Sequence, residues 1–121
     1  MAVTTKKTFS GHGSFSDILN YIRAYLKKRF GDTRDYEVVD GSSAEFRYGY
    51  TKNFHGNVQV SLQSDLTYSR GHHPPSTVHT LSVTLGNLKS MDEIEKGKEK
   101  SDELLQSLYS YITRPGAIGT R

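Results

Sequence analysis

The residues of this chain best suited to chemistry are its five histidines, and two of them are adjacent. The stretch SRGHHPPST, residues 69–77, places His72 and His73 beside Arg70, with His79 close behind. An imidazole can ligate a metal or move a proton near neutral pH. A metal centre also needs three or four donors within about 2.1 Å of one ion. With no cysteine in the chain, thiolate zinc sites, disulfide frameworks and cysteine nucleophiles are excluded. The remaining question is whether the fold gathers the histidines.

Two further stretches carry chemical potential. GHGSFSD, residues 11–17, joins glycines to a helix start, where free backbone amides and the helix dipole attract anions. It lacks the Gly-Lys-Ser/Thr of a phosphate loop, and Asp17 puts a negative charge where a phosphate would sit, so His12 is its one side chain suited to an anion. EFRYGYTKNFHGN, residues 45–57, interleaves aromatic and basic residues, the combination that lets proteins stack bases and hold phosphates. From it Arg47, Lys52, Asn53, Phe54 and His55 remain available for contact with an anionic ligand, and an exposed phenylalanine on a loop, Phe54, usually has something to bind. No serine sits at a strand-to-helix elbow with histidine and acid in a triad order, and no pair of carboxylates shares an expected cleft. The sequence therefore points away from an enzyme, a cofactor or a metal site.

The elements that must position these residues follow from periodicity. Residues 3–9 alternate as a first strand. Ser14 and Asp17 form a capping-box pattern, and Phe15, Ile18, Leu19, Ile22, Leu26 and Phe30 recur at helical spacing, which predicts a helix over 15–30. Lys27, Lys28 and Arg29 suit its negative C-terminal end. Four strands come next. In the third, Phe46, Tyr48 and Tyr50 face the core. In the fourth, Val58, Val60, Leu62, Leu66 and Tyr68 hold the even positions, whereas the fifth puts Leu81, Val83 and Leu85 at odd ones. Antiparallel partners must place apolar side chains on one face. That condition is met by pairing Leu62 with Val83, Val60 with Leu85, Tyr48 with Val60 and Phe46 with Leu62. It makes 69–76 a hairpin tip and puts His79 opposite Leu66, near the rim.

A second capping box, Ser90 to Glu93, opens a last helix whose stripe is Met91, Ile94, Leu104, Leu105, Leu108, Tyr109 and Ile112. Its charged first half, EKGKEKSDE, is expected to stand away from the body or against another subunit. Arg114-Pro115-Gly116 ends the helix.

The expected architecture is an α+β two-layer sandwich, β-α-β-β-β-β-α, with two helices on one face of a mostly antiparallel meander. Residues 1–113 form a single domain and 114–121 a short tail. The other sheet face (Glu45, Arg47, Gln59, Ser61, Gln63, Asp65, Thr67, Thr80, Ser82, Thr84) is polar and uncovered. The 51–57 and 69–76 loops lie at opposite ends of the fourth strand, some 30 Å apart at about 3.3 Å per residue, so His55 cannot join His72 and His73.

Length suits one domain, and the net charge of +3 is compatible with an anionic partner. No apolar run reaches the roughly 20 residues of a membrane helix, which predicts a soluble, cytoplasmic protein. The reading that follows is a small non-catalytic binding protein, acting as a homo-oligomer. It recognises an anionic ligand, nucleic acid or nucleotide, through Arg47, Lys52, Phe54, His55, Arg70, His72, His73 and His12. The competing reading is a structural or adaptor protomer of a larger assembly, such as a virion component.

Overall fold

Alternation and capping translate directly into elements. The computed structural model describes residues 1–32, 34–67 and 76–114. They form β1 (Val3–Ser10), α1 (Phe15–Phe30), β2 (Tyr36–Asp40), β3 (Ser43–Thr51), β4 (Gly56–Thr67), β5 (Ser76–Gly86) and α2 (Met91–Ile112). Both capping boxes are present: the Asp17 amide donates to Ser14 Oγ and the Glu93 amide to Ser90 Oγ, and each acid accepts from its cap residue's amide. Four amides that the helices cannot use internally are thereby satisfied. Gly31 ends α1 with a positive φ of 73° that a side chain would resist.

The five strands make one antiparallel sheet in the order β1-β5-β4-β3-β2. Alternation decides its faces. Ile18, Leu19, Ile22 and Leu26 of α1 and Ile94, Leu104, Leu105, Leu108 and Ile112 of α2 are buried with Phe46, Tyr48, Val58, Val60, Leu62, Leu81, Val83 and Leu85 of the sheet. This is the expected α+β arrangement of a sheet packed against two helices. Among the described residues, no helix is long and apolar enough to cross a membrane.

The parity of the expected pairing holds, but its register is corrected by two residues. Leu62 opposes Leu81 and Val60 opposes Val83, while Phe46 opposes Val60 and Tyr48 opposes Val58. A slip of two keeps every side chain on its own face, so face patterning cannot detect it. The N-terminal strand completes the sheet by pairing with β5, Lys6 opposite Ser82 and Phe9 opposite His79.

Three core assignments are also corrected. A bulge at Gly49 follows the Tyr48–Val58 pair, after which Tyr50 opposes Asn57. The extra residue reverses the alternation, and Tyr50 is 67% exposed instead of buried. Leu66 faces the core side but is 60% exposed, because β3 reaches β4 only as far as Gln63, and the β4–β5 hairpin continues beyond it. Phe54, expected on an exposed loop, is buried against Phe30 at 5.7 Å between ring centroids.

The first half of α2 does not stand away. Ile94, Gly97 and Ser101 are buried and continue the helical stripe toward Leu104 and Leu108. Gly97 allows this closeness: a Cβ there would lie 2.8 Å from Leu88 Cδ1 and 3.4 Å from Val3 Cγ2. Ser101 Oγ donates to the Val83 carbonyl at 3.0 Å and lies 2.7 Å from Thr5 Oγ1, so a polar side chain is satisfied in the interior. The charges of this segment point outward, as in the Lys96–Asp92 pair at 3.1 Å.

Candidate functional site

The end of α1 and the β3–β4 connection build a charged concavity. After Thr51, a single 3₁₀ turn (Lys52–Phe54) leads to His55, which caps it in the left-handed region at φ 55° and returns the chain to β4. The turn tucks Phe54 inward and leaves Lys52 and Asn53 outside. A cavity of about 470 Å³ opens there, lined by Arg29, Phe30, Thr51, Lys52, Asn53, Phe54, Lys100 and Glu103. Its size falls in the range of small-molecule pockets, about 300–1,000 Å³.

Three cations from three elements meet one carboxylate at this cleft. Arg29 approaches Glu103 at 3.5 Å and donates from its NH1 group to Tyr25 Oη at 2.9 Å, so its side chain is held in place. The Arg29 guanidinium lies 5.6 Å from the Phe54 ring centroid and the Lys100 ammonium 6.0 Å from it. The buried ring therefore works as a platform that draws two cations together, although their like charges oppose it. Neither Lys52 nor Lys100 has an ion-pair partner among the described residues.

The other expected contact residues lie elsewhere. Arg47 stands on the open sheet face, where it donates to Gln59 Oε1 at 2.8 Å and Glu45 Oε1 at 3.2 Å and covers the Tyr36 ring at 5.0 Å. It is a member of a surface network rather than a free cation. His55 is exposed beside the cleft and faces the start of α2. There the Lys89 amide above all holds the Glu93 carboxyl below its usual range; burial opposes it, and the Ser90 amide and the charge of His55 add to the lowering. His12 is exposed near the far end of the molecule, its ring 6.3 Å from Phe9. Arg70, His72 and His73 lie outside the described residues.

His79 is fully buried rather than at the rim. It opposes Ser64, not Leu66. Its Nε2 donates to the Gly13 carbonyl at 3.1 Å, and because a carbonyl only accepts, Nδ1 must accept from Ser64 Oγ at 2.7 Å. Burial pushes its pKa below the ordinary imidazole value; the Gly13 and Gly11 carbonyls pull it upward, and His12 lowers it further. With both nitrogens committed, His79 ties the 11–13 turn to β5 and offers no lone pair to a ligand. Among the described residues no three His, Asp or Glu side chains gather as a metal site would require.

No protein-family model matches the chain, and no curated protein matches it. Among solved structures, the crystal structure of Ara h 8.0201 is similar over 93% of this chain and 95% of that one, at 10% sequence identity and a TM-score of 0.37. A likeness of that degree carries no argument about ligand or activity.

The cleft thus keeps Lys52 from the sequence-based candidates, converts Phe54 from a contact residue into a buried platform, and adds Arg29 and Lys100. Arg29 reads in the sequence as a complement to the helix dipole, and Lys100 as one solvated charge among many. The one local signal for Lys100 is that it immediately precedes Ser101 on the flank of the buried stripe. That signal becomes legible only once Gly97 and Ser101 are recognised as part of the stripe.

Proposed function

We propose that this protein binds a small anionic ligand in the cleft formed by Arg29, Lys52 and Lys100. The observation that supports the reading is the convergence of three cations on one cavity in which a single carboxylate, Glu103, opposes them. Uncompensated cations at a concave site raise the local concentration of anions, and a charge-assisted hydrogen bond to one is worth about 1.5–3 kcal/mol. Asn53 and Thr51 line the same cavity and supply neutral hydrogen-bonding groups. Of the anionic ligands, the volume favours a nucleotide-sized or smaller molecule over a nucleic-acid strand.

Titration with a nucleoside monophosphate, followed by amide chemical shifts, tests this. Shifts are expected at Lys52, Asn53 and Lys100, with affinity falling as salt rises. The double variant Lys52→Ala with Lys100→Ala is expected to bind about tenfold more weakly or worse, and Arg47→Ala to bind like the wild type. If Arg47→Ala weakens binding while the double variant does not, the cleft is not the site.

A separate observation favours self-association. Three of the exposed large hydrophobics, Tyr36, Val38 and Val39, sit in the five-residue edge strand β2. Of the two charges in β2, Glu37 is engaged by Arg23 and Arg34, which leaves Asp40 at the strand's end, whereas the opposite edge strand, β1, carries Lys6 and Lys7 near its middle. Charged edges resist pairing and apolar edges invite it. Two copies joined antiparallel about Val38 would bury these side chains against each other and extend the sheet across a twofold axis. Light scattering is expected to show a dimer for the wild type and a monomer for Val38→Lys; a wild-type monomer at millimolar concentration refutes the pairing.

A further inference from the structure

Phe30 and Thr51 line a second cavity as well, of about 250 Å³, together with Asp35, Tyr48, Gly49 and Tyr50. We propose that the two cavities form one site for a zwitterion, in which an anionic group sits among Arg29, Lys52 and Lys100 and an ammonium group sits against Asp35. The inference rests on the anion-binding reading of the cleft and adds the second half of the ligand.

Three features carry it. First, Asp35 is an exposed carboxylate with no ion-pair partner among the described residues, in a chain with more cations than acids. Arg34, whose charge reaches Tyr48, is itself paired with Glu37 at 3.2 Å. Second, Asp35 is held in place. Its amide donates to the Arg47 carbonyl at 2.7 Å, and its carboxylate fills the space beside Gly49, where a Cβ would come within 2.9 Å of Oδ2. The bulge at that glycine ends regular pairing beside the cavity, and bulges gather next to binding sites. Third, the cavity is lined by three aromatic residues. One of them, Tyr48, has a buried hydroxyl whose charged neighbour is the Arg34 guanidinium. A carboxylate with aromatic neighbours suits an ammonium ion.

The shared wall fixes the polarity of the ligand, because the reverse orientation sets a phosphate against Asp35 and an ammonium among three cations. The two cavities share Phe30 and Thr51 as a wall, and O-phosphoethanolamine, which carries both charges on a two-carbon linker, is the simplest probe of this chemistry. Propyl phosphate has similar length without the ammonium.

Isothermal titration of the full chain with both compounds is the test. O-phosphoethanolamine is expected to bind about fivefold tighter than propyl phosphate. Asp35→Asn should remove that advantage while leaving propyl phosphate affinity unchanged, and Gly49→Ala, which displaces the carboxylate, should act the same way. Equal affinity for the two compounds, or an equal loss for both in Asp35→Asn, overturns the zwitterion site and leaves the anion cleft standing. If neither compound binds, both readings fall. Cosedimentation with phosphatidylcholine vesicles containing phosphatidylethanolamine distinguishes the source. Asp35-dependent vesicle binding assigns the amino-phosphate to a lipid head group, and binding of the soluble compound alone assigns it to a free small molecule.

Discussion

Gly56→Ala is expected to destabilise the protein by about 3 kcal/mol, the upper end of the usual cost of overpacking. A Cβ at this position would lie 2.1 Å from the Gly86 carbonyl oxygen. The obstacle is backbone in the neighbouring strand, so no side chain can rotate away. Relief requires β4 and β5 to part at the end where β4 begins. That end carries the cleft, since Lys52 and Phe54 belong to the turn that immediately precedes Gly56. The surviving folded fraction should therefore also bind anions more weakly. Gly86→Ala is the matched control. Its Cβ would meet nothing within 4 Å, and its φ is not in the left-handed region. It is expected to be neutral or to stabilise by about 0.5 kcal/mol, because alanine restricts the unfolded chain. Urea unfolding of the two variants decides the matter. Equal midpoints would falsify the close approach of these strands.

His79 is expected to make the fold acid-sensitive. Its folded pKa lies below the ordinary value of 6.5 because the imidazole is buried, and the carbonyls of Gly13 and Gly11 recover only part of the shift. Below pH 6.5 the unfolded chain takes up a proton at this position that the folded chain refuses. The unfolded state then binds more protons, so stability rises with pH and falls as pH drops. The loss begins near 6.5 and levels off below the depressed folded pKa, where both states are protonated. Protonation also reverses one bond, because Nδ1 must then donate to Ser64 Oγ, whose own hydroxyl proton loses its acceptor in an interior built for the neutral ring.

His79→Leu removes the titrating group. It leaves Ser64 Oγ and the Gly13 carbonyl without their partner, and it is expected to cost about 2–3 kcal/mol at neutral pH. The cost should shrink toward pH 5, since the wild type weakens there and the variant lacks this source of weakening. His79→Asn, which keeps a polar side chain but cannot titrate, should share the flattened pH dependence at a different cost. Unfolding free energies at pH 7.5, 6.5 and 5.5 give the comparison. Parallel profiles for wild type and both variants would show that the buried imidazole is not the source.

The two stability predictions and the cleft depend on different kinds of information. The helices were legible because their signals are local: Ser14 with Asp17 and Ser90 with Glu93 mark the starts, and a spacing of three and four marks the buried stripe. The faces of the sheet were legible for the same reason, since alternation is a property of each strand alone. The register was not. A slip of two residues leaves alternation intact, and only the 3₁₀ turn with its left-handed His55 brings Thr51 opposite Gly56. Nor was the fate of Tyr50 legible, because a single inserted residue, Gly49, reverses the faces without altering the composition of the strand.

By itself, then, the chain of amino acids determined an antiparallel sheet with one apolar and one polar face, two capped amphipathic helices to cover the apolar face, and a mild excess of positive charge. Tertiary structure decided which of those charges act together. Arg29, Lys52 and Lys100 belong to a helix end, a turn and the middle of a second helix, and each has an ordinary local explanation. Electrostatic interaction depends on distance through space, whereas periodicity and capping act over a few residues of sequence. The burial of Phe54 beneath two of these cations is what brings them to one cleft.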